Sequence, residues 1–99
     1  MAGRTNSAAA AIEAIEEAGL LGVISGAPIG FYSYLKRFAR HDRPLRVEVF
    51  SLRVVRQRES WPEKDQRATQ WFAVDQAAAL VSDTQLSKLI VRFAGKMRS

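Results

Sequence analysis

The stretch "AAAAIEAIEEAGLLG", residues 8–22, decides how the first part of the chain folds. Its alanines favour a helix, Ser7 is a residue type that caps helix N-termini, and Gly19 is the type that ends helices. One face, at about 100° per residue, is apolar. Its members are Ala8, Ala11, Ile12, Ile15 and Ala18. The sequence therefore predicts an amphipathic helix over residues 7–18.

The opposite face of this predicted helix is acidic. Glu13, Glu16 and Glu17 lie three or four residues apart, and like charges at such spacings repel by roughly 0.2–0.5 kcal/mol per pair. No basic residue lies within the helix to relieve them. Spacing alone leaves two interpretations open. The face is either a solvated acidic surface or a set of carboxylates for a hard divalent cation such as Mg²⁺ or Mn²⁺.

The composition predicts one small globular domain over residues 1–99. The chain is 47% hydrophobic and 25% charged, with a formal net charge of +5 and no cysteine. It lacks an apolar run of the roughly 20 residues that span a bilayer, and its first residues have no apolar signal core. We therefore expect a cytoplasmic protein that does not enter membranes. The basic balance favours an anionic partner.

Downstream, the pattern predicts three strands and then two helices. The predicted strands cover residues 29–38, 45–57 and 68–74, separated by a polar turn at 40–44 and a charged hairpin loop at 58–67. The middle strand is apolar on both faces, as in a central strand. The helices are predicted to start at Asp75 and at Ser82–Asp83, the second ending near Phe93 before a frayed tail.

Large aromatic residues give further expectations for packing. We expect Trp71 and Phe72 in the core, and Trp61 packed against the base of the charged loop. Leu86, Leu89, Ile90 and Phe93 should form the buried face of the last helix.

The segment "IEAIEEAGL", residues 12–20, resembles the core of the Nudix box, whose consensus is G-x5-E-x7-R-E-U-x-E-E-x-G-U with U apolar. The matching residues are Glu13, Glu16, Glu17, Gly19 and Leu20. Ile12 stands where the family has arginine, and Arg4 stands where it has the first glutamate. The first glycine of the box would precede Met1.

The resemblance continues through "PIGFYSYLKR", "RVEVFSLRVVRQRESWPEKDQRATQWFAVDQAAALV" and "LSKLIVRFA". These segments look like small bacterial Nudix proteins that resemble diphosphoinositol polyphosphate phosphohydrolases. The resemblance implies an α/β (α+β) fold, an α/β/α sandwich on a mixed sheet. It also implies that the N-terminal strands are missing and that the chain is truncated. A sheet edge exposed in this way would favour pairing into an oligomer.

The resemblance also implies an activity, the metal-dependent hydrolysis of a diphosphate linkage. The substrate would be a phosphorylated small molecule, a nucleotide or a diphosphoinositol-type compound, and the cofactor Mg²⁺ or Mn²⁺. Glu16 and Glu17 would be metal ligands, and Glu13 would be a ligand or would orient the attacking water. Gly19 would let the chain turn sharply after the helix.

Basic residues supply candidates for substrate binding. The run "YLKRFARHDRPLR" contains Lys36, Arg37 and Arg46, which we predict to contact substrate phosphates. The other interpretation is a solvated surface turn. His41, the single histidine, lies in this polar segment and is expected to be solvated.

Two alternatives to a working enzyme remain, one from the departures from the Nudix consensus and one from the net charge. Ile12 cannot hold a glutamate as the family arginine does, so the chain would be a catalytically inactive remnant. The net charge would also suit a small basic nucleic-acid-binding module. The basic residues follow no recognised binding motif, however, so nucleic acid is not an expected partner.

Overall fold

A computed structural model describes residues 6–98, which form three helices and four strands. In chain order they are α1 (Asn6–Ala18), β1 (Leu20–Ile24), β2 (Gly30–Arg37), β3 (Asp42–Val49), β4 (Leu52–Gln57), α2 (Val74–Leu80) and α3 (Thr84–Arg98). The predicted mixed class of helices and strands is confirmed. The elements divide into two compact units. The first contains α1, β1 and β4, and the second contains β2, β3, α2 and α3.

Helix α1 begins and ends within one residue of its predicted limits. Gly19 follows it with a φ of +67°, a conformation that glycine adopts without steric cost. The Gly19 N–H donates to the carbonyl oxygen of Ile15 at 2.9 Å, which closes the last turn of the helix. The predicted sharp turn at this glycine is confirmed. Strand β1 then begins at Leu20, where the sequence analysis predicts no strand.

Strands β1 and β4 pair antiparallel in the first unit, from Leu20 opposite Gln57 to Ile24 opposite Leu52. The predicted single strand over residues 45–57 is wrong, because it divides into β3 and β4, which belong to different sheets. The division falls at Phe50–Ser51.

Two hydrogen bonds hold the chain where the long predicted strand divides. The Ser25 N–H donates to the Ser51 carbonyl at 2.8 Å, and the Ser51 N–H donates to the Ser25 hydroxyl at 3.1 Å. Both bonds join Ser51 to Ser25, which is far away in sequence. Hydrophobic periodicity reports only local patterns and cannot predict such a contact.

In the second unit, β2 and β3 form an antiparallel hairpin from Gly30 opposite Val49 to Arg37 opposite Asp42. The predicted turn at 40–44 is therefore too long, since residues 42–44 belong to β3. Pro44 is tolerated there because both strands of a two-stranded sheet are edge strands. Helix α3 covers part of this hairpin. A side chain at Gly30 would overlap Leu89 of α3.

Three predictions for the end of the chain are wrong. Residues 67–73 contain no strand, so the predicted strand at 68–74 is wrong. Asp75 lies in the first turn of α2 rather than capping it. The predicted start of α3 is confirmed, because the Asp83 carboxylate accepts a hydrogen bond from the Leu86 N–H at 3.0 Å. This helix continues to Arg98 through the segment predicted to fray.

The buried apolar core of the described residues is small. Ala78, Leu89 and Ala94 are its members, and all three lie on helices of the second unit. Trp71 and Phe72 are 67% and 43% exposed, so their predicted place in the core is wrong. Within residues 6–98 the strands pair only antiparallel. The layered sandwich on a mixed sheet thus stays a prediction.

Across residues 6–98, no helix combines the length and the apolar character needed to cross a bilayer.

The turn after α1 gives a test of this fold. Gly19→Ala should lower the free energy of unfolding by about 2–4 kcal/mol, since the left-handed conformation and the overlap with Trp61 both oppose a Cβ. Gly26→Ala is the matched control, because a Cβ there meets no atom within 4 Å. Urea unfolding measures both variants. Equal stability of the two would contradict the described turn.

Candidate functional site

The predicted acidic face exists on helix α1, but its three carboxylates have different surroundings. Glu13 and Glu16 are exposed. The side chain of Glu17 is only 34% exposed, because the segment that follows β4 lies against it. Arg4, the residue at the first glutamate position of the box, lies outside the described residues.

The segment Trp61–Arg67 docks against the carboxyl end of α1. The indole ring of Trp61 lies so close to Gly19 that a Cβ added at position 19 would overlap the ring. The Glu63 N–H then donates to the carbonyl oxygen of Glu16 at 3.0 Å. The predicted hairpin loop is therefore wrong. The residues after β4 form a turn at 62–66 that packs on the helix rather than leading into a paired strand.

Arg67 joins this segment to the acidic face. Its Nη2 lies 2.7 Å from Oε1 of Glu17, and its Nε donates to Oε1 of Glu63 at 2.8 Å. The hydrogen bond to Glu63 and then the charge of Glu17 raise the pKa of Arg67 above its ordinary value. Arg67 thus supplies a fixed positive charge beside the half-buried glutamate.

Lys64 contacts Trp61 within the same segment. Its ammonium lies 5.0 Å from the centre of the Trp61 ring and also donates to the carbonyl oxygen of Glu59. The indole N–H of Trp61 is buried and has no hydrogen-bond partner among the described atoms. Packing and the overlying charge therefore hold this ring, rather than a hydrogen bond.

The glutamates do not, in this arrangement, form a metal-binding group. Among residues 6–98, no cluster of three or more histidine, aspartate or glutamate side chains is placed to hold an ion. The carboxylate of Glu17 is instead neutralised by Arg67. Divalent cations need several oxygen ligands that converge on one point. The described residues therefore do not fit a metal ion without rearrangement.

Sequence reasoning missed Arg67. The resemblance places an arginine at position 12, where Ile12 stands, and the arginine that reaches a glutamate of α1 comes from the segment after β4 instead. The spacing of Glu63 and Arg67, four residues apart, was a local signal for one of its two ion pairs. The contact with Glu17 depends on tertiary structure and has no signal in the sequence.

The predicted substrate-binding residues belong to the second unit, whereas the glutamates belong to the first. Lys36, Arg37 and Arg46 are all exposed on the β2–β3 hairpin. The guanidinium of Arg46 lies 3.8 Å from the centre of the Phe31 ring, and Arg37 lies opposite Asp42. Their role in substrate binding stays a prediction.

Comparison with known proteins gives one informative similarity. The chain is 30% identical over 89 residues to Nudix hydrolase 12, mitochondrial, from Arabidopsis thaliana. The alignment covers 86% of this chain but 44% of the plant protein, so the chain spans less than half the length of that relative. No family model matches the sequence. No solved structure matches it either.

Arg67 can be tested through the hydrogen bond that its segment makes with α1. Arg67→Gln should loosen the docked segment and speed amide exchange at Glu63 by about tenfold, because both ion pairs are lost. Arg53→Gln is the charge-matched control, since Arg53 is exposed on β4 and lies outside this cluster. Hydrogen exchange followed by NMR measures both variants. An unchanged amide exchange rate at Glu63 in Arg67→Gln would refute the claim that Arg67 holds the docked segment against α1.

Proposed function

We propose that this chain is a Nudix-family hydrolase that cleaves a diphosphate linkage in a phosphorylated small molecule. The similarity to a plant Nudix hydrolase over 86% of the chain carries the proposal. The local structure supports it, because an acidic helix ends at Gly19 with a left-handed turn and leads directly into a strand. That is the helix and turn that the Nudix resemblance implies.

The chemistry is placed on the acidic face of α1, with Glu13, Glu16 and Glu17 as the catalytic candidates. To act as metal ligands as well, the three carboxylates would first have to rearrange. Glu17 is the best placed of the three, because Arg67 fixes one of its oxygens while its side chain stays partly exposed. A carboxylate held in one orientation can accept a proton from an attacking water. Arg67 then acts as a positioning residue for Glu17.

A divalent cation, Mg²⁺ or Mn²⁺, is implied by the resemblance and would supply charge neutralisation at the phosphates. Since the described residues do not fit such an ion, no step of the proposed reaction is assigned to it. The substrate class stays at the level of a nucleotide or a diphosphoinositol-type compound. The cytoplasmic location and the pairing through a sheet edge also stay predictions.

A second candidate is a Nudix-like protein that binds phosphorylated ligands without hydrolysing them. The ion pair between Arg67 and Glu17 favours it, because the carboxylate that would work in catalysis is already neutralised. This candidate shares the fold of the first and differs from it in turnover alone.

Turnover of defined substrates separates the two. We expect the chain, with Mg²⁺ or Mn²⁺ in the buffer, to hydrolyse a nucleoside diphosphate derivative or a diphosphoinositol polyphosphate. Glu17→Gln should lower kcat/KM by at least roughly 100-fold, since it removes a charged group from the reacting site. Product separation by anion-exchange chromatography measures the rates.

Asp65→Asn is the charge-matched control, because it removes one exposed negative charge from the docked segment Trp61–Arg67 and leaves the glutamates of α1 in place. Its rate should stay within roughly twofold of the unmodified chain. Absence of turnover with both substrate classes would favour the non-catalytic candidate. Equal rates in Glu17→Gln and the unmodified chain would refute the assignment of the site.

A further inference from the structure

A polar groove lies in the first unit next to the carboxyl end of α1. It has a volume of about 520 Å³ and is lined by Arg56, Gln57, Arg58, Glu59 and Ser60. Small-molecule sites in proteins have volumes of roughly 300–1,000 Å³, so the groove is large enough for a phosphorylated compound. Its lining consists entirely of polar and charged residues, which suits a charged ligand.

Two hydrogen bonds fix the groove beside the helix that carries the candidate glutamates. The Gln57 side-chain amide donates to the Ala18 carbonyl at 3.0 Å, and the Arg58 N–H donates to the Gly19 carbonyl at 2.8 Å. Both bonds satisfy carbonyl groups near the end of α1, which a helix leaves without partners. The groove and the acidic helix are therefore parts of one unit with a defined junction.

The sheet register changes immediately before the groove. Leu21 lies opposite Arg56 and Gly22 opposite Val54, so Val55 has no partner on β1 and forms a β-bulge. A bulge bends its strand and re-aims the side chains that follow it. Here the side chain that follows is Arg56, the first cation of the groove.

The charges of the lining define the ligand. Arg56 and Arg58 are exposed, and neither has an ion pair or hydrogen bond from its guanidinium within the described part of the chain. Glu59 is the one acid of the lining, which leaves it a formal charge of +1. An anion bound between two like charges in the same groove interacts favourably with both. Guanidinium groups bind phosphate through paired hydrogen bonds.

We propose that the Arg56–Arg58 groove is a phosphate-binding site that holds a phosphoryl group of the ligand next to the acidic end of α1. The Ser60 hydroxyl is a further donor at the same place. The inference rests on the proposed function only where it takes the bound phosphate to belong to a substrate. The site itself binds a diphosphate whether or not the chain hydrolyses one.

Inorganic pyrophosphate is the probe, used with EDTA present and at 150 mM NaCl so that metal and weak surface attraction play no part. An NMR titration should show saturable binding, with the largest amide shifts at residues 56–60. Arg56→Gln/Arg58→Gln should weaken this binding at least tenfold. Glu59→Gln should tighten it several-fold, because it removes the only negative charge from the lining.

Arg53→Gln/Arg92→Gln is the charge-matched control, since it removes two exposed arginines that do not line the groove. Its dissociation constant should stay within twofold of the unmodified chain. Arg56→Lys/Arg58→Lys keeps both charges but loses the guanidinium fork. This lysine variant should weaken pyrophosphate binding by a smaller factor than Arg56→Gln/Arg58→Gln does. It provides the test if the glutamine variant does not fold.

Several results would overturn the proposal. They are the absence of saturable binding, equal weakening in the control pair, and amide shifts that centre on the β2–β3 hairpin rather than on the groove. The two proposals fail separately. Localised binding without turnover would remove the enzyme and keep the groove. Turnover together with unchanged pyrophosphate binding in Arg56→Gln/Arg58→Gln would remove the groove and keep the enzyme.

Discussion

The indole ring of Trp61 lies against Gly19 where a Cβ would otherwise be, and this contact holds the segment after β4 against the end of helix α1. Helix α1 has no fully buried side chain, so contacts with the chain after β4 contribute much of what holds it. A two-stranded sheet such as β1–β4 is marginally stable on its own and needs a covering element. The docked segment Trp61–Arg67 therefore connects the helix, the turn and the strand pair.

The same docking determines the electrostatics of the candidate site. Three glutamates on one helix face repel one another, and the sequence near them offers no counter-charge. Arg67 brings that charge from the segment after β4 and places it on Glu17, leaving Glu13 and Glu16 exposed. The face thus has one fixed carboxylate and two solvated ones, which is why Glu17 is the residue whose replacement separates the functional proposals.

Local chemistry made part of this structure predictable. The helix at residues 7–18, its glycine stop and the aspartate cap of α3 all follow from residue types at fixed positions, and the structure has them. Periodicity failed where non-local contacts decide. The apolar pattern of residues 45–57 fits one central strand as well as it fits two shorter strands. In the structure the run divides into β3 and β4, and hydrogen bonds between Ser25 and Ser51 hold the chain at the division.

The candidate site also has features that the sequence predicts and features that depend on contacts between distant residues. The three glutamates were visible in the sequence, and so was the resemblance that gives them a function. Their counter-ion was not visible, because the Arg67–Glu17 contact joins residues far apart in the chain. The groove at Arg56 and Arg58 depends on a bulge whose register the sequence does not encode locally.

The contact between Trp61 and Gly19 is the most direct test of this account. A two-dimensional NMR spectrum of the protein should show cross-peaks between the indole ring protons of Trp61 and the α-protons of Gly19. The ring current should also shift those α-protons strongly upfield, as expected for protons held against an aromatic face. Gly19 α-protons at ordinary shifts, with no cross-peak to Trp61, would mean that the segment does not dock on α1. The assigned positions of Glu17, Arg67 and the groove would then all be wrong.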